Sequence, residues 1–202
     1  MPRPNVSEKR VQDILKAAGV VFNERGLQNA RMEDVALVAG ISKGTIYLYF
    51  SSKDHVIEAL LRQMFVPMDA AVELLTDPQL SARQRLELCY KQMLHGFTEY
   101  RSLYPLLLEL FALARRQPYA MNLFTEYFAA YQAKVMVCIQ NGALAGEFKP
   151  MLANEEAAAI AALGFMSALD GALLIAMINP DLIDLADHGM KVMAQVVASL
   201  GP

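Results

Sequence analysis

The residues best placed to do chemistry lie between positions 40 and 53, where turn-forming and hydroxyl side chains are combined with two lysines. Gly40 can adopt the left-handed conformation that ends a helix, and the Ser42 hydroxyl can then cap the helix that follows. The turn between the two helices is therefore about three residues long. Lys43 and Lys53 carry positive charge that suits a phosphate group. This pattern is typical of a helix-turn-helix that binds DNA.

The two helices of this motif are indicated by the spacing of their apolar residues. Residues 32–39 carry an apolar stripe at positions i, i+3, i+4 and i+7. In the second helix Ile46 and Phe50 lie four residues apart, so both are expected to face the core. The other face is small near its start and aromatic further along, which suits a major groove. The residues expected to contact DNA are Arg31, Ser42, Lys43, Gly44, Thr45, Tyr47, Leu48, Tyr49 and Lys53.

Residues around the motif combine many specific types at fixed spacing. They are Phe22, Gly26, Glu33 to Ala36, Ala39 to Ser42, Gly44 to Tyr47, Tyr49, Phe50 and Lys53. With these residues the chain resembles the tetracycline-repressor-like (TetR) family over residues 8–68, with the motif at residues 31–50. The resemblance implies an all-α homodimer whose first three helices bind DNA. It also implies a helix-turn-helix DNA-binding domain at residues 1–52 and a helical ligand-binding and dimerisation domain at residues 53–202.

One position departs from the family pattern. Where the family usually has a Thr-Thr pair at the start of the second helix, this chain has Ala30 and Arg31. Asn29 is the nearest side chain that could replace the threonine cap. Arg31 could supply the phosphate contact instead, as a point charge or as a bidentate fork.

Net charge is −3 over 202 residues, but the charge is unevenly distributed. Residues 1–55 carry eight Lys and Arg against six Asp and Glu, whereas the remaining residues carry ten against fifteen. A local basic surface is enough for phosphate contact. The overall acidity therefore does not exclude DNA as a partner.

The apolar periods and the breaks between them predict an all-α chain of about nine helices and no strand. Glycine and proline residues set most of the expected ends, and Pro67 is expected to kink the fourth helix. The expected helices are Ser7 to Gly26, Met32 to Ala39, the helix after Ser42, Lys53 to Leu75, Ser81 to Tyr100, Leu103 to Arg116, Ala120 to Ala145, Asn154 to Ile178 and Asp181 to Leu200.

Residues 157–178 form a long apolar run whose only clearly polar side chains are Ser167 and Asp170. A run of this length could span a bilayer. A central carboxylate, many alanines and the lack of a flanking Lys/Arg cluster instead favour a helix buried in protein. The TetR resemblance implies a four-helix bundle between the last two helices of two subunits, and burial within a monomer is the alternative. The expected dimer interface comprises Ala161, Gly164, Ala168, Gly171, Ala172 and Met193.

Aromatic and methionine side chains are concentrated between the motif and the eighth helix, with aromatic residues at i, i+3, i+4 and i+7 over residues 124–131. Such stripes line either a hydrophobic core or a pocket for an apolar effector. The Asp170 carboxylate either makes a structural hydrogen bond at the dimer interface or recognises a donor or cation on the effector. The candidate pocket residues are Met64, Met93, Phe97, Tyr104, Phe111, Tyr127, Phe128, Tyr131, Met166 and Asp170.

Motifs for catalysis are absent from the sequence, which has no HExxH, GxSxG, Walker or GxGxxG pattern. Cys89 and Cys138 lack metal-type spacing and are expected to be reduced core residues. We therefore expect no enzyme activity, no cofactor and no metal. The N-terminus lacks the apolar segment of a secretory signal, so the expected location is the cytoplasm.

The helix-turn-helix pattern predicts a DNA-binding transcriptional regulator. The resemblance implies that it binds a double-stranded palindromic operator as a homodimer, that it represses, and that a small effector releases it. The aromatic and methionine residues predict that this effector is mostly apolar. No membrane is expected as a partner. The alternative is a helical-bundle interaction or sensor protein without sequence-specific DNA binding.

Overall fold

The computed structural model describes residues 6–99, 103–179 and 181–201, and every regular element within these ranges is helical. The all-α prediction is confirmed. The described α-helices are α1 (Val6–Asn29), α2 (Met32–Val38), α3 (Lys43–Tyr49), α4 (Lys53–Glu73), α5 (Ala82–Glu99), α6 (Tyr104–Ala114), α7 (Pro118–Leu144), α8 (Glu155–Ile178) and α9 (Leu185–Leu200).

The start of α9 differs from the prediction for a local reason. The helix begins at Leu185 rather than at Asp181. The Asp184 carboxylate accepts hydrogen bonds from the backbone N–H groups of Ala186 and Asp187, at 3.0 and 3.2 Å. These bonds satisfy donors that a helix N-terminus leaves unpaired, so the capping aspartate fixes the first residue.

Prolines are accommodated differently in two other helices. α7 begins at Pro118 rather than at Ala120, because proline fits the first helical turn, where no intrahelical N–H bond is required. α4 continues through Pro67 to Glu73 and is followed by a short 3-10 helix at Leu74–Thr76. The predicted end of the fifth helix at Tyr100 lies outside the described residues.

The first compact unit comprises Met1–Met64 and Ser102–Leu123. In this unit α1 packs against α2 and α6. Burying one large apolar side chain contributes about 1.5 to 3 kcal/mol relative to leaving it exposed. The side chains with no solvent exposure at the centre of this unit include Ile14, Phe22, Val35, Ile46, Val56, Leu61, Leu106 and Leu110.

The second compact unit comprises Phe65–Arg101 and Phe124–Pro202. α5 and α8 both pack against α9 in this unit. The N-terminus of α5 is capped from a distance, because the Glu147 carboxylate accepts 3.1 Å hydrogen bonds from the N–H groups of Ala82 and Arg83. The boundary expected between a DNA-binding domain at residues 1–52 and a ligand-binding domain at residues 53–202 stays a prediction.

Candidate functional site

The turn of the helix-turn-helix has the predicted geometry. Gly40 has φ of 66°, the left-handed region in which a residue without a side chain is unstrained. The Ile41 N–H donates to the Ala36 carbonyl at 3.0 Å, which closes the end of α2. The Ser42 hydroxyl accepts a 3.0 Å hydrogen bond from the Thr45 N–H and caps α3. The predicted glycine stop and serine cap are both confirmed.

α3 divides into a buried face and an exposed face. Ile46 and Phe50 are buried, as predicted, and hold the helix against unit 1. Tyr47 and Leu48 are 44% and 83% exposed, so both side chains project from the surface of the helix. The other predicted contact residues on this segment are exposed at Ser42, Lys43 and Gly44 and half-buried at Thr45 and Tyr49.

Gly44 lies on the exposed side of α3, and no neighbouring atom in the described part of the chain requires a glycine there. A Cβ added there would meet only the Ser42 hydroxyl, at 3.8 Å, among the described atoms. Glycine within a helix costs about 1 kcal/mol relative to alanine. A glycine on this surface therefore permits close approach by a partner outside the chain.

Lys43 is held by an ion pair that a partner could replace. Its Nζ lies 2.5 Å from the Glu33 carboxylate, and both side chains are largely exposed. The hydrogen bond between them raises the pKa of Lys43 and lowers the pKa of Glu33. Exposed pairs of this kind are weak because water screens them, so the ammonium group remains available to a phosphate.

Lys53 has an intramolecular role that the sequence did not suggest. Its Nζ donates hydrogen bonds to the carbonyls of Leu27, Ala30 and Gln28, at 2.7, 3.2 and 3.3 Å. An ammonium group has three donors, and these three carbonyls use all of them. In this chain Lys53 therefore anchors the connection between α1 and α2, and a phosphate contact would require it to give up one of these bonds.

The start of α2 is also organised differently from the prediction. The Asp34 carboxylate accepts a 3.0 Å hydrogen bond from the Arg31 N–H and forms a 2.7 Å ion pair with Arg25. Asn29 belongs to α1, where its side-chain amide donates to the Arg25 carbonyl. The prediction that Asn29 caps α2 is therefore wrong. The Arg31 side chain is exposed and remains a candidate for phosphate contact.

The candidate pocket residues divide between the two units. Met64, Tyr104 and Phe111 belong to unit 1, where Tyr104 is buried and Phe111 is exposed. The others belong to unit 2. Of these, Met93, Tyr131 and Met166 are buried, Phe97, Tyr127 and Phe128 are half-buried, and Asp170 is exposed.

An aromatic cluster occupies one part of unit 2, where the end of α4 meets α7. The rings of Phe65 and Tyr127 stack with centroids 4.4 Å apart, and Phe65 meets Phe124 edge-on at 5.5 Å. Tyr127 also contacts the rings of Phe128 and Tyr131, at 5.6 and 6.2 Å. We call these five residues the aromatic cluster.

Two tyrosine hydroxyls of unit 2 are buried, those of Tyr90 and of Tyr131, and Tyr131 belongs to the aromatic cluster. Tyr90 and Tyr131 are almost completely shielded from solvent, and neither hydroxyl forms a regular hydrogen bond within the described part of the chain. The Cys89 thiol contacts the hydroxyl of Tyr131, but a thiol is a weak partner. Burial raises the pKa of Tyr90 to about 12 and the pKa of Tyr131 well above its usual value, so both hydroxyls keep their protons.

Both cysteine thiols are buried as predicted. Desolvation raises the pKa of Cys89 to about 12 and the pKa of Cys138 to about 11. The Cys138 thiol points at the Ala82 carbonyl, 3.5 Å away. Both groups are therefore neutral thiols at physiological pH and poor nucleophiles.

Asp170 lies on α8 between the buried and exposed faces of that helix. As a whole the residue is exposed in this chain, although its position in the apolar run of residues 157–178 predicts a buried carboxylate. Protein atoms nevertheless crowd its carboxyl group, and this desolvation raises its pKa to about 6. Burial is the main cause of the raised pKa values of Tyr90, Tyr127 and Tyr131, and the negative charge of Asp170 adds to it.

The face of α8 that points away from its buried residues is apolar and exposed, and Asp170 lies at the edge of this face. Ile160, Leu163, Leu174 and Ile178 lie on it, and Ile178 is 70% exposed. Gly164 and Gly171 are exposed on the same helix, and Ala161, Ala168 and Ala172 are half-buried. Met193 differs from these residues, because it is only 4% exposed and packs inside its own unit. Met193 therefore offers almost no surface to a second subunit.

One described helix, α8, is long and apolar enough to cross a membrane by length and composition, with a mean hydropathy of 1.9 over its best window. A third of that window is buried within the protein. The core helix of a protein that never enters a membrane can have the same length and composition. This property alone therefore does not distinguish a membrane-spanning helix from a core helix.

Part of the chain is similar to a known protein family. Residues 14–60 match the family described as bacterial regulatory proteins, tetR family. The uncharacterised HTH-type transcriptional regulator YvdT of Bacillus subtilis is 39% identical over 61 residues, which are 30% of this chain and 31% of that protein. The chain thus matches about a third of the length of this curated relative.

Two solved structures are similar over almost the whole chain. A TetR transcription regulator from Haloarcula marismortui has a TM-score of 0.81 at 18% identity, over 96% of this chain and 100% of that one. The regulator FadR of Bacillus subtilis, solved in complex with stearoyl-CoA, has a TM-score of 0.75 at 22% identity, over 93% and 98%. At these identities the likeness shows the fold of the whole chain.

Proposed function

We propose that the protein is a cytoplasmic transcriptional repressor that binds a palindromic operator as a homodimer and is released by a small effector, because residues 14–60 match the family described as bacterial regulatory proteins, tetR family. The observation that carries the proposal is the exposed face of α3. Tyr47 and Leu48 project from it, and Gly44 leaves room for close approach. A recognition helix needs such a face to reach base edges in the major groove.

The homodimer is supported by the apolar face of α8. Ile160, Leu163, Leu174 and Ile178 are exposed in the single chain, and contiguous apolar surface of this kind marks an interaction site. Gly164 and Gly171 on the same helix allow a second helix to approach closely. Asp170 beside this face and Glu155 and Glu156 at the start of α8 favour a protein partner over lipid.

The effector is supported by the aromatic cluster. Half-buried rings next to buried hydroxyls and methionines are typical of sites for small apolar molecules. FadR, whose fold this chain shares, was solved in complex with stearoyl-CoA. If the effector and the operator favour different spacings of the two recognition helices, each weakens the binding of the other. Linkage requires the two effects to equal the same free energy.

Selection of bound sequences from random DNA, followed by gel shifts, tests the function. We expect the wild-type protein to enrich one palindromic sequence, and Tyr47→Ala and Leu48→Ala to weaken binding to it. Leu144→Ala is the matched control, since Leu144 is also a large exposed apolar residue but lies on α7. Failure to enrich any sequence would favour an interaction protein without specific DNA binding.

A further inference from the structure

We propose that each half-site of the operator carries a thymine whose C5 methyl group is bound by Leu48. The assignment rests on the function proposed above, because it specifies which base the exposed face of α3 recognises. It depends on the direction and chemistry of one side chain and on the contacts already made by its polar neighbours.

Leu48 points away from the core of unit 1. Ile46 is the buried residue of α3, and each residue of an α-helix is turned by about 100° from the one before it, so Leu48 lies about 200° around the helix from Ile46. Leu48 is 83% exposed, more than any other large apolar side chain in the described part of the chain. If α3 enters a major groove, Leu48 is therefore directed at the base edges.

Gly44 leaves the surface beside Leu48 open. The two residues are four positions apart and are therefore neighbours on one side of the helix. A Cβ added at Gly44 would meet only the Ser42 hydroxyl, at 3.8 Å, among the described atoms. A base edge can therefore approach the helix backbone at Gly44 and contact the leucine side chain one turn further along.

The polar side chains at the start of α3 are engaged within the protein. The Ser42 hydroxyl accepts a 3.0 Å hydrogen bond from the Thr45 N–H, and the hydroxyls of these two residues lie 2.8 Å apart. The Lys43 ammonium group lies 2.5 Å from the Glu33 carboxylate. These groups would have to exchange local contacts in order to bind a base, whereas Leu48 needs no such exchange.

The residue types of the motif leave few ways to read a base through paired hydrogen bonds. Arginine reads guanine in this way, asparagine and glutamine read adenine, and a carboxylate accepts from cytosine. Residues 40–53 contain none of these residue types. The thymine C5 methyl is the group in the major groove that an apolar side chain recognises. A leucine at the centre of the exposed face therefore selects thymine.

Replacement of single thymines by deoxyuridine tests the contact, because uracil differs from thymine only in lacking the C5 methyl group. The operator selected from random DNA is synthesised with each thymine replaced in turn, and gel shifts give the Kd of each DNA. We expect one position in each half-site to lose about fourfold in affinity, as for one buried methyl group. No loss at any thymine would overturn the proposal.

Variants of the protein assign the methyl contact to Leu48. With Leu48→Ala the deoxyuridine effect should fall to about twofold or less, whereas Tyr47→Ala and Leu144→Ala should keep it. Leu144 is the matched control, since it is 75% exposed but lies on α7. Because Leu48 is exposed, its substitution should leave the melting temperature unchanged. Persistence of the effect with Leu48→Ala, or its loss with Tyr47→Ala, would overturn the assignment.

A methylated cytosine separates the methyl group from the rest of the thymine base. A C·G pair at the sensitive position should weaken binding, and 5-methylcytosine there should recover about fourfold, because it restores the methyl group at C5. The Leu48→Ala protein should bind the two cytosine operators equally. Equal binding of both by the wild type would overturn the methyl contact.

Binding to a single half-site separates this proposal from the function on which it rests. If one half-site shows the deoxyuridine effect and its dependence on Leu48 but no palindrome is enriched, the thymine assignment is supported and the dimeric repressor is not. If a palindrome is enriched but no deoxyuridine substitution weakens its binding, the regulator is supported and the assignment is overturned. Enrichment of no sequence at all would overturn both.

Discussion

The backbone N–H of Leu27 donates a 2.6 Å hydrogen bond to Oε2 of Glu109, a residue 82 positions further along the chain. Glu109 belongs to α6, and Leu27 follows Gly26, where α1 leaves helical geometry with φ of 75°. Lys53 of α4 binds the Leu27 carbonyl. A carboxylate and an ammonium group therefore hold the same residue through its N–H and its C=O, immediately before the helix-turn-helix.

We expect Glu109→Ala to destabilise unit 1. The substitution removes the acceptor of a partly buried N–H, and an unsatisfied buried donor costs about 1 to 3 kcal/mol. Urea unfolding should show a lower free energy of unfolding by this amount. Glu24→Ala is the control, because Glu24 is exposed on α1. Equal stability of the two variants would mean that the Leu27 hydrogen bond contributes little.

Lys53 and Lys43 should respond differently to salt. A lysine that meets a phosphate contributes about 0.9 to the slope of log K against log salt concentration. We expect Lys43→Met to flatten this slope by about one, and Lys53→Met to lower the stability of unit 1 while changing the slope less, because its donors are bound to carbonyls. Gel shifts over a salt series and urea unfolding measure the two effects. An equally flattened slope for Lys53→Met would restore it as a phosphate contact.

Tyr47 should contribute to sequence specificity. Its side chain is exposed on α3, and a residue that reads a base contributes about 1 to 3 kcal/mol of discrimination. Tyr47→Ala should therefore weaken binding to the selected operator more than binding to random DNA. Competition gel shifts with both DNAs give the ratio. A uniform loss on both would assign Tyr47 to the DNA backbone instead.

A charge on the apolar face of α8 should dissociate the dimer. Leu163→Arg would bury an unpaired charge if this face meets its copy, and such burial is strongly unfavourable. We expect sedimentation to show a dimer for the wild type at micromolar concentration and a monomer for this variant. Leu144→Arg, at an exposed leucine of α7, should remain dimeric. A monomeric wild type would contradict the proposed homodimer.

Asp170 should make stability depend on pH in an identifiable direction. Folding raises its pKa from the ordinary value of 3.8 to about 6, so the folded state binds this proton more tightly than the unfolded state. The wild type should therefore lose stability relative to Asp170→Asn as pH rises from about 4 to about 6, and the difference should be constant above pH 7. Melting temperatures of both proteins across this range check the sign. A difference that does not vary with pH would show that the carboxyl group is fully hydrated.

The parts of the motif that the sequence predicted correctly depend on neighbouring residues. Gly40 closes α2 and Ser42 caps α3 through bonds to groups only a few positions away, so residue type and spacing were sufficient. Ile46 and Phe50 followed from helical periodicity for the same reason. The nine helices of the described ranges were predicted from similar local patterns, although the Asp184 cap makes α9 begin later than expected.

The misplaced residues depend on contacts that sequence spacing does not reveal. Lys53 was assigned to phosphate because its charge is visible, whereas the carbonyls that bind it belong to backbone 23 to 26 positions earlier. Glu109 had no local signal at all. Met193 was assigned to the dimer interface because it lies on the last helix, one of the two that the resemblance places in the bundle, and only packing decides which face of that helix is internal.

The two buried thiols make the stability of unit 2 measurable without any added label. Since Cys89 and Cys138 hold their protons and are shielded from solvent, a thiol reagent can modify them only in molecules whose interior has opened. The rate of modification in the native protein then reports how often the interior opens. A bound effector next to Cys89 would slow this modification. The ratio of the rates without and with effector would give the free energy by which the effector stabilises the closed state.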